Sequence, residues 1–435
     1  MRIPRALTAG LGLVGALHAC APAAAPAPEA PSGALPPPTP QTGGTIAEHR
    51  WETVHLEEAV ILDRIRGAWI GQMIGVTWGA PTEFYARYNY QHYPEVHQVD
   101  GEPGSIYAQY EGGIIPIDEL PEWDPELIND GYDQDDLYVE VPFLEAMREH
   151  GVNCGWPEFG NAFRDTEFQL WHANNAGREN LRKGIPAPES GHYSNNLHAD
   201  DIDWQIEADF VGLTNPAQPH SAADIAWRAG HVMNYGDGVY GGVFVATMIA
   251  TAFTAEDVGE VIEAGRQAVP QGSEYRALIE QVIESHQSGK TWDQTVEQLL
   301  EDWGTDDKCE EWAGDKDPLN IDAKLNGSYV LLGLLYGDGD LAQSIRISMA
   351  AGQDSDCNPS NAGSVLGALY GFERIQAMEG DWVSALDETR KFQTTPYTLD
   401  ELVQLNLDLA REVVELKGGT APEGGTWEIP TVQTR

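Results

Sequence analysis

Two short runs carry residues whose type and spacing could do chemistry. Asp133-Gln134-Asp135-Asp136 stands directly before the apolar run 137–147. Gly352-Gln353-Asp354-Ser355-Asp356-Cys357-Asn358 stands before a run of small residues beginning at Pro359. An Asp at a helix start accepts from free backbone N–H groups and suits the positive end of the helix dipole, so either run alone could be a cap. Carboxylates at i and i+2 in a loop can also converge on one hard cation. An EF-hand calcium loop starting at Asp354 would need Gly at 359 and Glu at 365. Pro359 and Val365 stand there, which excludes that reading. Two separate carboxylate pairs, each at the start of a helix, are the parts of a split oxygen-ligand site. Mg²⁺ and Mn²⁺ choose such carboxylate and water ligands.

The other polar residues point elsewhere. Asp200, Asp201, Asp203 and Asp209 read as caps and solvated helix faces. His92 with His97, and His192 with His198, lack the spacing of a zinc motif, and the chain has neither HExxH nor Gly-x-Ser-x-Gly. The Trp residues read mainly as core or cleft wall, with Trp204 and Tyr240 as candidate stacking partners for a base or sugar.

The elements that must position these residues read as helices. Apolar spacing of helical period covers 56–78, 137–149, 201–212, 221–233, 239–253, 255–267, 275–284, 292–303, 326–335, 341–349, 360–378 and 399–417. Alternating strand patterns are scarce, so the fold class is all-α. Gly67, Gly71, Gly75 and Gly79 lie four apart, on one helix face, where they permit a close helix crossing. Residues 85–131 are rich in Tyr, Pro, Gly and acid, with little periodicity, and read as a long irregular insertion or lid.

The chain has 435 residues, with 25 Lys and Arg against 69 Asp and Glu, for a formal net charge of −44. Its hydrophobic content of 42% is enough for a sizeable core, so the acidity describes a surface rather than disorder. Such a charge argues against nucleic acid and anionic lipid as partners. It suits work at high salt, where repulsion is screened.

The N-terminus reads as processing. Arg2 and Arg5 precede a short apolar stretch, 6–17, too short to span a bilayer. Leu17-His18-Ala19-Cys20 resembles a lipobox, although His18 departs from its usual small residue; an ordinary secretory signal is the alternative. Lipidation is expected on Cys20, with export to the periplasmic face of a bacterial membrane or the cell surface. Pro22 and Ala23 favour the outer membrane in a Gram-negative cell. The membrane is then a partner only through the lipid anchor. Residues 21–48 are an Ala/Pro-rich tether, 49–417 the globular domain, and 418–435 a Gly/Pro-rich strap or tail. Cys154, Cys309 and Cys357 remain, an odd count, with Cys154 and Cys309 the pair to test first.

Four blocks together resemble the ADP-ribosylglycohydrolase family, the group that includes dinitrogenase-reductase-activating glycohydrolase. Asp63 to Ala68 through Gly79-Ala80-Pro81-Thr82-Glu83-Phe84 looks like the family's opening helix and its Gly-x-Pro-x-Glu turn. Gln134-Asp135-Asp136-Leu137 stands where the family has Thr-Asp-Asp-Thr. Ile202 to Asp209, with Gly238 to Gly242, resembles its central helices. Asp354-Ser355-Asp356-Cys357 stands where it has Asp-x-Asp-Thr. The similarity runs from about residue 58 to about 380.

The resemblance implies an orthogonal all-α bundle around a magnesium or manganese cleft holding two ions, or one. Asp135, Asp136, Asp354 and Asp356 would be metal ligands, with Gln134 and Cys357 as weaker ones. Glu83 would be the catalytic acid/base or water-orienting group. Asn234, Asp237 and Tyr240 would border the ribose pocket. Leu137 and Cys357 replace hydroxyl residues, Val76 replaces an Asp, and Asn234 a His. The implied function is metal-dependent hydrolysis of a ribosyl N- or O-glycosidic bond, on a small-molecule or protein-linked substrate. Two alternatives stand beside it: an exported nucleosidase or furanosidase, and a non-catalytic metal- or ligand-binding lipoprotein. The sequence sets no oligomeric state.

Overall fold

The computed structural model describes residues 53–83, 114–304 and 321–431. The signal and tether with Cys20, most of the irregular insertion, His92, His97 and Cys309 lie outside the described residues.

The all-α reading holds, with seventeen α-helices among the described residues. A strand, β1 (Val54–Glu57), leads into α1 (Glu58–Gly79). Then follow α2 (Asp135–Tyr138), α3 (Glu140–His150), α4 (Trp156–Arg164), α5 (His172–Arg182), α6 (Asp203–Ile206), α7 (Asp209–Leu213), α8 (Pro219–Gly230) and α9 (Asp237–Ala252). After α10 (Val258–Ala268), α11 (Glu274–Gln287) and α12 (Trp292–Trp303), the chain resumes with α13 (Ala323–Tyr336), α14 (Leu341–Ala350), α15 (Cys357–Tyr370), α16 (Phe372–Ala377), α17 (Leu399–Leu416) and β2 (Thr426–Ile429). No described helix is long and apolar enough to cross a membrane.

Helices α1, α9, α13 and α15 are buried on almost every side and form the centre. A helix apolar all round belongs in a core. Around them α17 and α10 keep polar outer faces. The C-terminal strap supplies β2, antiparallel to β1, with Val54 opposite Ile429 and Leu56 opposite Trp427. Trp427 and Ile429 are buried.

The glycine spacing in α1 becomes a seam. A Cβ on Gly67, Gly71, Gly75 or Gly79 would overlap the carbonyl of Gly367, Gly363, Pro359 or Ser355, in that order. As α1 advances its partners run backwards, so α1 and α15 are antiparallel at near-backbone contact. This seam carries the C-terminal end of α1 to the N-terminal end of α15.

The helices depart from the sequence pattern where local chemistry interrupts a period. Expected helix 137–149 is split at Val139. Pro142 cannot donate to the carbonyl of Tyr138, and its ring crowds that carbonyl. Expected helix 201–212 breaks at Glu207 and Ala208, near φ −112°, ψ 3° and φ −92°, ψ 2°. Expected helix 360–378 breaks at Gly371, whose φ of +80° favours glycine. Helices α4 and α5 lie in a stretch where no helix is expected from the sequence.

Candidate metal centre and glycohydrolase site

The site begins where the seam ends. After α1 a short turn, Ala80–Thr82, delivers Glu83. Thr82 Oγ1 lies 2.9 Å from Ser355 Oγ, which joins this turn to the loop carrying Asp354 and Asp356. Asn326 on α13 pins the same loop: its Oδ1 accepts from Asn358 Nδ2 at 2.8 Å, and its Nδ2 donates to Gln353 Oε1 at 3.1 Å. Asp356 caps α15, its Oδ1 accepting from the Cys357 N–H at 2.9 Å. Capping and site membership are therefore not alternatives.

From the other side α2 delivers Asp135 and Asp136 in its first turn. Gln134 occupies the cap position, but its side chain does not cap. Asp136 is fully buried. Ser360, on the first turn of α15, donates its hydroxyl to Asp136 Oδ2, while Oδ1 has no hydrogen-bond partner.

Asp135, Asp136 and Cys357 each offer a ligand atom within 4.8 Å of the others. Asp354, Asp356 and Cys357 do the same. The four carboxylates read from the sequence thus come together, with Cys357 between the pairs. Glu83 is half-buried and its charge bears on Asp354.

Electrostatics marks this region as short of positive charge. Burial pushes the Asp135 carboxyl up to about 7, helped by Asp356 and Asp203. Burial raises Asp136 well above the carboxylate range, with Asp135, Asp356 and Asp209 adding to it. Asp354 is raised by burial, then by Asp356, Glu83 and Asp135. Burial also raises the Cys357 thiol, with the same four Asp adding to it.

Beneath this layer lies a second set of acids. Glu140 on α3 is fully buried; its Oε1 accepts from Gln72 Nε2 at 2.7 Å and its Oε2 from the Phe210 N–H at 2.7 Å. Asp209 Oδ2 accepts from Asn361 Nδ2 at 2.8 Å. Glu207 accepts from Asn174 through Oε1, and its buried Oε2 has no hydrogen-bond partner. The break between α6 and α7 turns Glu207 inward.

These positions correct the surface reading of Asp200, Asp201, Asp203 and Asp209, all of which are buried. Asp203 does cap, but it caps α5: its two carboxylate oxygens accept from the N–H groups of Ala173 and Asn174 at 3.2 and 3.0 Å. His172, Asp201 and Asp203 form a further grouping able to hold a cation, with His198 Nδ1 2.9 Å from Asp201 Oδ2. Trp204 is fully buried against Phe143 and Phe210, so it stacks on no ligand.

The three residues assigned to the ribose border belong to none of these groupings. Asn234 is fully buried and its amide is spent on backbone: Oδ1 accepts from the Trp204 N–H, and Nδ2 donates to the carbonyls of Ala199 and Asp201. Asp237 opens α9. Burial pushes its carboxyl up to about 7 against the opposing pull of Lys324. Tyr240 is half-buried, its hydroxyl pushed up to about 12 by burial and Asp237. Cys154 is a free, buried thiol.

The residues present fit a divalent ion. They offer converging hard oxygen donors, an orphaned buried oxygen on Asp136, and raised carboxyls that a cation would relieve. The sequence pattern places this all-helical arrangement of acids in a known family. The sequence model described as ADP-ribosylglycohydrolase matches residues 57–418, and the chain belongs to that family. No curated protein matches the chain. A solved structure described as an ADP-ribosylglycohydrolase-related protein complex is similar at 17% identity and a TM-score of 0.49, covering 81% of this chain and 99% of that one.

Proposed function

We propose that the cleft hydrolyses a ribosyl N- or O-glycosidic bond with the help of Mg²⁺ or Mn²⁺. The observation that supports this most is the convergence of Asp135, Asp136, Asp354 and Asp356, from two distant parts of the chain, within a family of glycohydrolases. Those four side chains would hold one or two ions, which when bound supply Lewis-acid polarisation of a water or sugar hydroxyl.

Glycosidic cleavage passes through an oxocarbenium-like transition state, with positive charge growing on the sugar ring. A cleft whose neighbouring charges are negative stabilises that growth more than it stabilises a neutral ground state. Glu83 stands at the edge of the cluster on the turn after α1, where it can pass a proton to the leaving group or take one from water. Thr82 and Ser355 hold that turn in register with the Asp354–Asp356 loop.

One observation favours a second substrate class on the same scaffold. The charges acting most strongly on Asp135, Asp136 and Asp354 are carboxylates. A glycosyl group that carries a pyrophosphate is poorly served there, whereas an uncharged furanosyl group is not. Export as a lipoprotein through Cys20 would likewise place the enzyme away from most ADP-ribosylated cytosolic proteins. The deciding experiment is a metal-supplemented screen with the Asp354→Ala variant as control. Release of ADP-ribose from modified protein supports the first class, and sugar release from a nucleoside or aryl furanoside the second. No turnover of any of them, with metal bound, leaves a non-catalytic binding protein.

A further inference from the structure

Among the described residues, the thiol of Cys357 is the one donor common to both acidic groupings. It lies within 4.8 Å of ligand atoms of Asp135 and Asp136, and equally of Asp354 and Asp356. Its place is fixed from both sides. The Cys357 N–H donates to Asp356 Oδ1 at 2.9 Å, and Ile202, Ile206 and Ile321 pack around the side chain. Only 4% of Cys357 is exposed, so solvent does not dilute its contribution. Asp136, of the same grouping, is fully buried and its Oδ1 has no hydrogen-bond partner, an acceptor left open to a ligand.

Sulfur in that position changes which cation fits. Mg²⁺ is small and hard, holds its water tightly and takes oxygen ligands. Thiolate is soft, and affinity for mixed oxygen and sulfur donors rises from Mn²⁺ through Co²⁺ and remains high at Zn²⁺. A thiol that binds a dication gives up its proton. The S–H bond breaks as the S–metal bond forms, and the proton passes to solvent, so no oxidant or reductant is needed.

We propose that Cys357 Sγ is a shared metal ligand of the two carboxylate pairs and shifts the preference of this centre from Mg²⁺ toward thiophilic divalent ions, Co²⁺ and Zn²⁺ above Mn²⁺. This rests on the acidic cluster being a metal centre, as put forward above. The competing role for Cys357 is that of a small apolar side chain filling space against the three isoleucines.

The test is titration of metal-stripped full-length protein with Co²⁺, Zn²⁺, Mn²⁺ and Mg²⁺, each followed by calorimetry, and Co²⁺ also by absorbance. The wild type should show a near-ultraviolet sulfur-to-cobalt charge-transfer band, absent from Cys357→Ser. That variant should lose about tenfold or more in affinity for Co²⁺ and Zn²⁺ while its Mg²⁺ affinity holds or rises. Cys357→Thr is the second variant, with thermal melting to show which of the two is folded. Co²⁺ binding without the band, and with equal affinity in a folded variant, would overturn the thiol ligand and leave the carboxylate centre intact. Failure of the wild type to bind any of the four ions would overturn both.

Discussion

Thr82 Oγ1 and Ser355 Oγ lie 2.9 Å apart, a buried hydroxyl pair joining residues far separated in sequence. Thr82 also donates toward the Gly79 carbonyl at 2.7 Å, so its hydroxyl closes the turn and reaches the loop together. Through this pair Glu83 is held in register with Asp354 and Asp356. Thr82→Val keeps the shape and removes the hydroxyl, leaving Ser355 short of a buried partner. The expected cost is about 1–3 kcal/mol of stability. Metal affinity and kcat should fall with it, whereas Thr82→Ser should restore both; urea denaturation and metal titration of the two variants check this.

The seam beneath that pair is equally testable. Gly71 and Gly363 face each other so closely that a methyl on either meets the other's backbone. Gly71→Ala should force α1 and α15 apart, at about 1–3 kcal/mol or more. Because the seam ends at the site, the same variant should weaken metal binding although residue 71 touches no ligand. An unchanged melting temperature would show that the helices separate at no cost, contrary to this packing.

How much of this was legible beforehand depends on what kind of signal each feature leaves. The glycine spacing and the two Asp pairs are local patterns, and local patterns survive in sequence. Glu140, Glu207 and Asp209 leave no such trace. Each falls in an amphipathic or acidic stretch where an outward-facing carboxylate is the ordinary outcome. Only the break at Glu207–Ala208, and the Gln72 and Asn361 amides supplied by α1 and α15, turn them into buried groups. In a chain of −44 a buried acid has many exposed look-alikes. Asn234 is a different case: the resemblance puts it at the ribose border, and the hydrogen bonds its amide makes are to backbone groups that become neighbours only on folding.

Metal-free protein should lose stability as pH rises. Asp135 is raised to about 7, and Asp136 and Asp354 are raised as well. The folded state therefore binds protons that the unfolded chain has released near its ordinary carboxylate range. The slope of unfolding free energy with pH is then negative, and this contribution, full below about pH 4, is lost through about pH 7. His231, held down near 4 by burial, acts in the opposite direction between about pH 4 and 6.5. The clean window is thus pH 6.5 to 8. Thermal melts there should fall with pH in chelator and flatten when a divalent ion is added; a rising melting temperature in chelator would contradict the buried, mutually repelling acids.

Glu83 and Asp356 should separate chemistry from cation binding. Glu83→Gln keeps size and polarity but cannot carry a proton. It should lower kcat by about 10²–10⁴-fold with metal affinity near wild type. Asp356→Ala removes a carboxylate from the cluster and the cap of α15, so it should lose metal binding and also about 1 kcal/mol of stability. Calorimetry with Mg²⁺ and Mn²⁺, beside turnover of whichever substrate the screen identifies, distinguishes the two. Equal loss of metal affinity in both variants would make Glu83 a ligand rather than an acid/base.

The deep acid at Glu140 gives the sharpest contrast between two substitutions. It accepts from Gln72 on α1 and from the Phe210 N–H on α7, and so ties three helices in a region without water access. Burial and Asp209 raise its carboxyl, which favours the protonated form. Glu140→Gln retains the size of that neutral acid but brings one acceptor oxygen to two donors, so it should cost about 1–3 kcal/mol, less than removal of the side chain. Glu140→Ala strands both donors and opens a cavity, at a cost of about 2–5 kcal/mol. The pH dependence divides them further: Glu140→Gln should show a shallower loss of stability with rising pH, since one buried proton site is gone. Guanidinium unfolding of metal-free wild type and both variants at pH 6.5 and 8 measures this, and a Gln variant as damaged as the Ala variant would mean that Glu140 is held as the charged carboxylate.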